Sequence, residues 1–318
     1  MQLLYPDIKP YDQQWIEVEP PHRLYLEQCG SPDGIPVIVI HGGPGSGCEP
    51  QHRRYFDPEK YRIILFDQRG AGQSRPHASI ENNNTTALIN DLELIRDYLN
   101  IDQWMLFGGS WGSTLSLAYT QQYPQQVSAL ILRGIFLGRQ KDLDWLYQQG
   151  ASKIYPDFWE DFIHLIPESE RDDLLAAYAK RLFGKDEIAR MSAAKAWAVW
   201  EGRIATLQNS HKTIEHFSEP RLALSLSRIE VHFFTNNCFL DENQLIDHAD
   251  KLKDIPGIIV HGRYDMICPL ENAWALTKAW PNAELQIVRD AGHSITESGN
   301  IDALIRATKT MAIRLEQD

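Results

Sequence analysis

Residues 103–119 read QWMLFGGSWGSTLSLAY. The apolar run QWMLF (103–107) ends directly in Gly108-Gly109-Ser110-Trp111-Gly112, and a helix-compatible run, STLSLAYTQQYP (113–124), follows at once. Gly-x-Ser-x-Gly carries little information alone. Set between a strand and a helix, it describes a turn so sharp that the serine is lifted above the sheet. Small residues flank it because side chains there would clash with the adjoining strand and helix. A serine so placed is a candidate nucleophile; the competing reading is a glycine-rich helix N-terminus capped by Ser110.

The same strand-then-helix rhythm extends outward in both directions. PVIVI (36–40), YRIILF (61–66), VSALIL (127–132), PGIIV (256–260) and AELQIV (283–288) are continuously apolar rather than alternating. Such runs fit strands buried on both faces. TTALINDLELIRDYL (85–99) fits a helix, and the helix after Ser110 should stop by Pro124. Strand alternating with helix predicts an α/β fold with a mostly parallel central sheet flanked by helices. WIEVE (15–19) and RLYLEQ (23–28) alternate more and are expected as antiparallel edge strands. After about residue 138 the rhythm breaks into helical text such as DDLLAAYAKRL and SAAKAWAVWEGRIATL, and it resumes at 256. A helical block that long inside an α/β pattern is an insertion rather than a loop. The expected organisation is a discontinuous catalytic domain, residues 1–137 and 246–318, interrupted by a helical cap over 138–245.

Composition narrows the function classes. The 318 residues carry 31 Lys and Arg against 43 Asp and Glu, a net charge of −12, which argues against nucleic-acid binding. No run of 18 apolar residues exists, so no membrane span is expected. The first twenty residues lack the pattern of a secretory signal, and the four scattered cysteines (Cys29, Cys48, Cys238, Cys268) lack metal spacing. The expectation is a cytoplasmic protein with free thiols and no metal. Nothing in these patterns specifies an oligomeric state.

A serine hydroxyl needs a base, and the base an orienting acid. In the strand–turn–helix setting the chain order is Ser, then Asp or Glu, then His. Of eleven histidines only His293 lies beyond His261, in RDAGHS just after the run ending at Val288. Asp265, in the loop after PGIIV, is the favoured acid; Asp290, three residues from the histidine, is the alternative. Arg263 is then expected in a structural ion pair. Two backbone N–H groups must receive the oxyanion. One is expected from Trp111, the other from Gly43 in His41-Gly42-Gly43-Pro44-Gly45, whose glycines permit close backbone approach. Phosphate-loop readings of this stretch fail, because Cys48 stands where a lysine or a third glycine is required. Asp67 and Arg69 of DQRG (67–70) are expected to brace the neighbouring loop as an ion pair.

This set of parts resembles the α/β-hydrolase family across the whole chain. Within it, HGGPGSG (41–47), DQRGAGQS (67–74), GGSWGSTLSLAY (108–119), LRGIFLGR (132–139) and HGRYDMICP (261–269) resemble the bacterial prolyl aminopeptidases, or proline iminopeptidases. The resemblance implies release of an N-terminal proline from peptides by Ser-His-Asp chemistry, without metal or cofactor. It also implies that Glu201, after AWAVW, and Glu230, in SRIEVHFF, bind the substrate's cationic amine. Both adjoin aromatic, apolar runs, where carboxylates are less expected than on a solvated helix face, their alternative setting. Phe136 is expected either to wall a pocket for the proline ring or to pack in the core; Trp145, Phe158 and Trp159 carry the same two readings. Cys268, three residues from Asp265, is expected near the site if that loop reaches it. Two other functions compete: a capped esterase or amidase for small acyl substrates, and a non-catalytic receptor of hydrolase fold.

Overall fold

Eight strands form one sheet in the order β1-β2-β4-β3-β5-β6-β7-β8. The computed structural model describes residues 2–317. The strands are β1 (Asp12–Glu17), β2 (Arg23–Gly30), β3 (Ile35–Ile40), β4 (Tyr61–Phe66), β5 (Trp104–Ser110), β6 (Val127–Ile135), β7 (Gly257–Gly262) and β8 (Ala283–Val288). β1 and β2 pair antiparallel, as does β2 with β4; every later pairing is parallel. The two alternating segments are thus the antiparallel part of the sheet, although β1 starts earlier and ends earlier than WIEVE.

The continuous apolar runs follow from burial of both faces. Ile38, Ile40, Leu106 and Leu130 point into one core with helices α1 (Thr85–Tyr98) and α2 (Trp111–Gln122). Val37, Val39, Met105 and Ile131 point into the other core, against the C-terminal helix. Deleting one such side chain would cost about 2–5 kcal/mol.

Between β6 and β7 the chain contains helices and short turns and no strand. The helices are α3 (Gln140–Tyr147), α4 (Pro156–Ile163), α5 (Leu174–Leu182), α6 (Glu187–Ile204), α7 (His211–Phe217), α8 (Pro220–Phe234) and α9 (Gln244–Asp247). Then α10 (Leu270–Ala279) joins β7 to β8, and α11 (Ser298–Leu315) ends the fold. α6 and α8 pack on each other, and each has a side-chain N-cap: Asp186 accepts from Ala189 N–H, and Glu219 from Leu222 N–H. α8 lies on the loop after β3. Ser225 Oγ donates to Gly45 O at 3.0 Å, and a Cβ on Gly45 would stand 2.7 Å from Ser225 O. Buried Arg139, before α3, clamps Asp142 through two bonds and Asn272 of α10 through one at 2.7 Å.

Candidate active site

The turn from β5 to α2 has the geometry its glycines imply. Ser110 has φ 58° and ψ −127°, a strained conformation for a residue with a side chain. A Cβ on Gly112 would overlap Ile40 O, and one on Gly108 would overlap Gly112 O. Ser110 occupies the N-cap position of α2, yet its side chain makes no capping bond, so the competing helix-cap reading is set aside.

Asp265 and His293 meet at the ends of neighbouring strands, with His293 Nδ1 2.7 Å from Asp265 Oδ2. The other oxygen, Oδ1, accepts Ile267 N–H at 3.0 Å and Cys268 N–H at 2.8 Å. Burial alone would raise the Asp265 pKa; adjacent His293 and these donors outweigh it and hold the carboxyl below its ordinary 3.8. Burial lowers His293 below its ordinary 6.5, only partly offset by Asp265, and Arg133 lowers it further. The histidine is therefore a neutral base at pH 7. Arg133 Nη1 also donates to His293 O at 2.6 Å, holding the loop. Asp290 is exposed and takes no part. Arg263 is exposed too and makes no ion pair among the described residues, contrary to expectation. Gly134, at the end of β6, faces the Asp–His pair: at φ +55° its Cβ would stand 2.9 Å from His293 Cε1 and 3.2 Å from Asp265 Oδ2.

The loop after β3 presses on the serine: a Cβ on Gly42 would lie 3.3 Å from Ser110 Cβ. Gly43 has φ +102°, and a Cβ there would stand 2.6 Å from Gly45 N. His41 is buried, and burial pushes its pKa down to about 4. Its neutral ring accepts Gln68 N–H at Nε2 (3.0 Å) and donates from Nδ1 to Gly42 O (2.9 Å). Gln68 joins this loop to the turn, because its Nε2 donates to His41 O and its Oε1 accepts Trp111 Nε1–H, both at 2.9 Å. The expected Asp67–Arg69 ion pair is not formed. Asp67 instead accepts Cys48 N–H and Gln73 N–H, both at 2.7 Å. Arg69 reaches the other way, with two 2.7 Å bonds to Asp91 and one of 3.0 Å to Glu19.

A cavity of about 560 Å³ has Gly43, Ser110, His293, Glu201 and Glu230 in its wall. Glu201 on α6 and Glu230 on α8 are 6% and 2% exposed, so neither lies on a solvated face. Tyr147 donates to Glu201 Oε1 and Trp197 Nε1 to Glu230 Oε2, each at 2.6 Å. The two carboxylates also face each other. Among the described residues no Lys, Arg or His pairs with either. Burial raises both pKa values, and the Glu201 charge drives Glu230 further up. Both shifts disfavour charge on the pair in the free protein.

Residues 35–299 match the sequence profile of the α/β hydrolase fold family. A proline iminopeptidase of Xylella fastidiosa is 52% identical over 309 residues, spanning 97% of this chain and 99% of the relative. One from Arabidopsis thaliana is 50% identical and spans 97% of this chain and 82% of the relative. The chain belongs to the proline iminopeptidase family of α/β hydrolases. Among solved structures, an esterase of Exiguobacterium antarcticum superposes with a TM-score of 0.61 at 23% identity, over 95% of this chain and 98% of its own. A bromoperoxidase of Bacillus anthracis gives 0.65 at 18%, over 94% and 99%. These two likenesses concern the fold.

For this member of the proline iminopeptidase family, the structure brings Ser110, Gly43, His293, Glu201 and Glu230 to one cavity, with Asp265 behind His293. Trp111 is buried at the start of α2. Phe136 is not brought into the cavity wall. It is 5% exposed, packs edge-on to Phe234 at 5.7 Å, and is bonded through its backbone to Ser113 and Thr114. The core alternative describes it. Trp145, Phe158 and Trp159 likewise pack against the core. Cys268 is buried within hydrogen-bonding reach of Ser110, and burial pushes its thiol well up, so it is no thiolate. Sequence reasoning missed Gly134, Gln68, Tyr147 and Trp197. A glycine at the end of a buried strand, in LRGI (132–135), is the one local signal among them.

Proposed function

We propose that the protein is a serine exopeptidase releasing N-terminal proline from peptides. The observation that carries this reading is the buried Glu201–Glu230 pair, unpaired by any cationic side chain among the described residues, in the same cavity as Ser110 and His293. An imino nitrogen at a peptide's N-terminus is cationic and completes the pair; an interior proline nitrogen is an uncharged amide and leaves it incomplete. The same pocket therefore selects the substrate and restricts cleavage to the first bond.

In this mechanism Ser110 Oγ attacks the prolyl carbonyl while His293 Nε2 takes its proton. Asp265, bonded to Nδ1, keeps the histidine in the required tautomer and stabilises its cation. The oxyanion is received by the N–H groups of Gly43 and Trp111. His293 then protonates the departing amine, and water repeats the cycle on the prolyl ester of Ser110, freeing proline. Residues 138–245 act as the cap contributing Glu201 and Glu230; 1–137 and 246–318 contribute the chemistry. Four free thiols fit a cytoplasmic setting, and no described helix is long and apolar enough to cross a membrane.

Proline 4-nitroanilide and its N-acetyl form test the reading. The free amine should be cleaved with kcat/KM higher by roughly 10² to 10³, the scale of an unpaired buried charge. Equal cleavage of both would replace this reading with that of a capped esterase or amidase.

A further inference from the structure

Glu297 lies outside the residues considered so far, yet its carboxylate joins the two halves of the site. It precedes α11. Its Oε2 accepts Gly292 N–H at 2.8 Å, one residue before His293. Its Oε1 accepts Leu207 N–H at 2.9 Å, just beyond the end of α6. Glu201 lies in the last turn of that helix, so two residues with separate tasks hang on opposite sides of one carboxylate. The approach is close: a Cβ on Gly292 would stand 2.9 Å from Leu207 N. One backbone bond runs beside the bridge, Ser294 N–H to Ala205 O at 2.7 Å.

We propose that Glu297 is a positioning residue that sets the spacing between the amine-binding Glu201 and the catalytic His293. The proposal rests on the function given above. The two sides of the bridge are unequally supported. The His293 loop keeps Arg133 on His293 O (2.6 Å) and Asn300 on Gly292 O (3.2 Å) and Ser294 O (2.8 Å) without Glu297. The end of α6 keeps only the Ser294–Ala205 bond across this junction. Loss of the carboxylate therefore shifts the cap side more than the histidine side. A bound proline then still finds Glu201 and Glu230, but its carbonyl stands out of line with Ser110, and displacements near 1 Å cost on the order of 10² in rate.

The test compares proline 4-nitroanilide with 4-nitrophenyl acetate, an ester that has no amine to dock. Glu297→Ala should lower kcat for the anilide by about 10- to 100-fold, with KM within about threefold, and lower ester turnover by less than about threefold. Leu207→Pro, which removes the cap-side N–H, should lower the same anilide-to-ester ratio, while Leu207→Ala, which keeps it, should not. This pair decides the matter if Glu297→Ala does not fold. Equal losses on both substrates, or no loss on either, would overturn the proposal. Failure of the parent reading is seen separately, as wild-type cleavage of the N-acetylated anilide.

Discussion

Asp265 and Glu230 are both buried carboxylates, 4% and 2% exposed, and their surroundings treat them oppositely. Asp265 receives two backbone N–H groups and an imidazole, and is held below the ordinary value for an aspartate. Glu230 receives one indole N–H and faces another carboxylate, and is driven well above the ordinary value for a glutamate. Burial is the same in both; the difference is what each neighbourhood supplies. The acid behind the histidine is complete in the free protein. The Glu201–Glu230 pair has no cationic side chain beside it among the described residues.

The largest test of that contrast is kinetic. Asp265→Asn should keep the geometry but favour the wrong tautomer of His293, lowering kcat by about 10⁴ on amine and ester substrates alike. Glu230→Gln should lower kcat/KM for proline 4-nitroanilide by roughly 10² to 10³ and leave 4-nitrophenyl acetate nearly untouched. Matching losses on both substrates in the second variant would erase the distinction between the two carboxylates.

A pH profile sharpens it. His293 must be unprotonated to take the serine proton, and its pKa lies below 6.5, so turnover of either substrate should fall as pH drops through that lower value. Only the prolyl substrate also draws on the charge of Glu201 and Glu230, whose pKa values burial raises. Its kcat/KM should therefore carry a further pH dependence that the ester's lacks. Coincident curves would mean the pair does not titrate with binding.

The smallest effect is in stability, and its sign is the informative part. Asp265 has a folded pKa below its unfolded one; its contribution is present above the unfolded value and is lost as pH falls through the folded value. Asp265→Asn should therefore lower Tm at pH 7. Glu230 has a raised folded pKa, so the native state holds the extra proton and loses stability as pH rises through the folded value. Glu230→Gln removes that cost and should raise Tm at pH 8 by about 1–2 °C for each kcal/mol recovered. A fall there would show the pair to be structurally satisfied without a ligand.

Much of this is legible in the sequence. The turn at Ser110 declares itself locally, because Gly108 and Gly112 are needed where strand and helix crowd. Asp265 and His293 follow from chain order, each just beyond a buried strand. Glu201 and Glu230 stood out as charges beside aromatic runs. The partners that give those charges their character were not legible. Tyr147 reaches Glu201 across 54 residues, Trp197 reaches Glu230 across 33, and Gln68 reaches Trp111 across 43. Such pairings leave no periodicity in the text. Arg69 departs from expectation for the same reason: its partner Asp91 lies on α1, not beside it in DQRG. Phe136 shows the converse, since an aromatic in the right stretch gave no indication of which way its ring would turn.

The contact of α8 with the loop after β3 couples two walls of the cavity. Ser225 and Leu226 of α8 rest on Gly45 and Gly43, and Glu230 is carried by the same helix. Any displacement of α8 would lift Ser225 and Leu226 off that loop and carry Glu230 away from Glu201 in one movement.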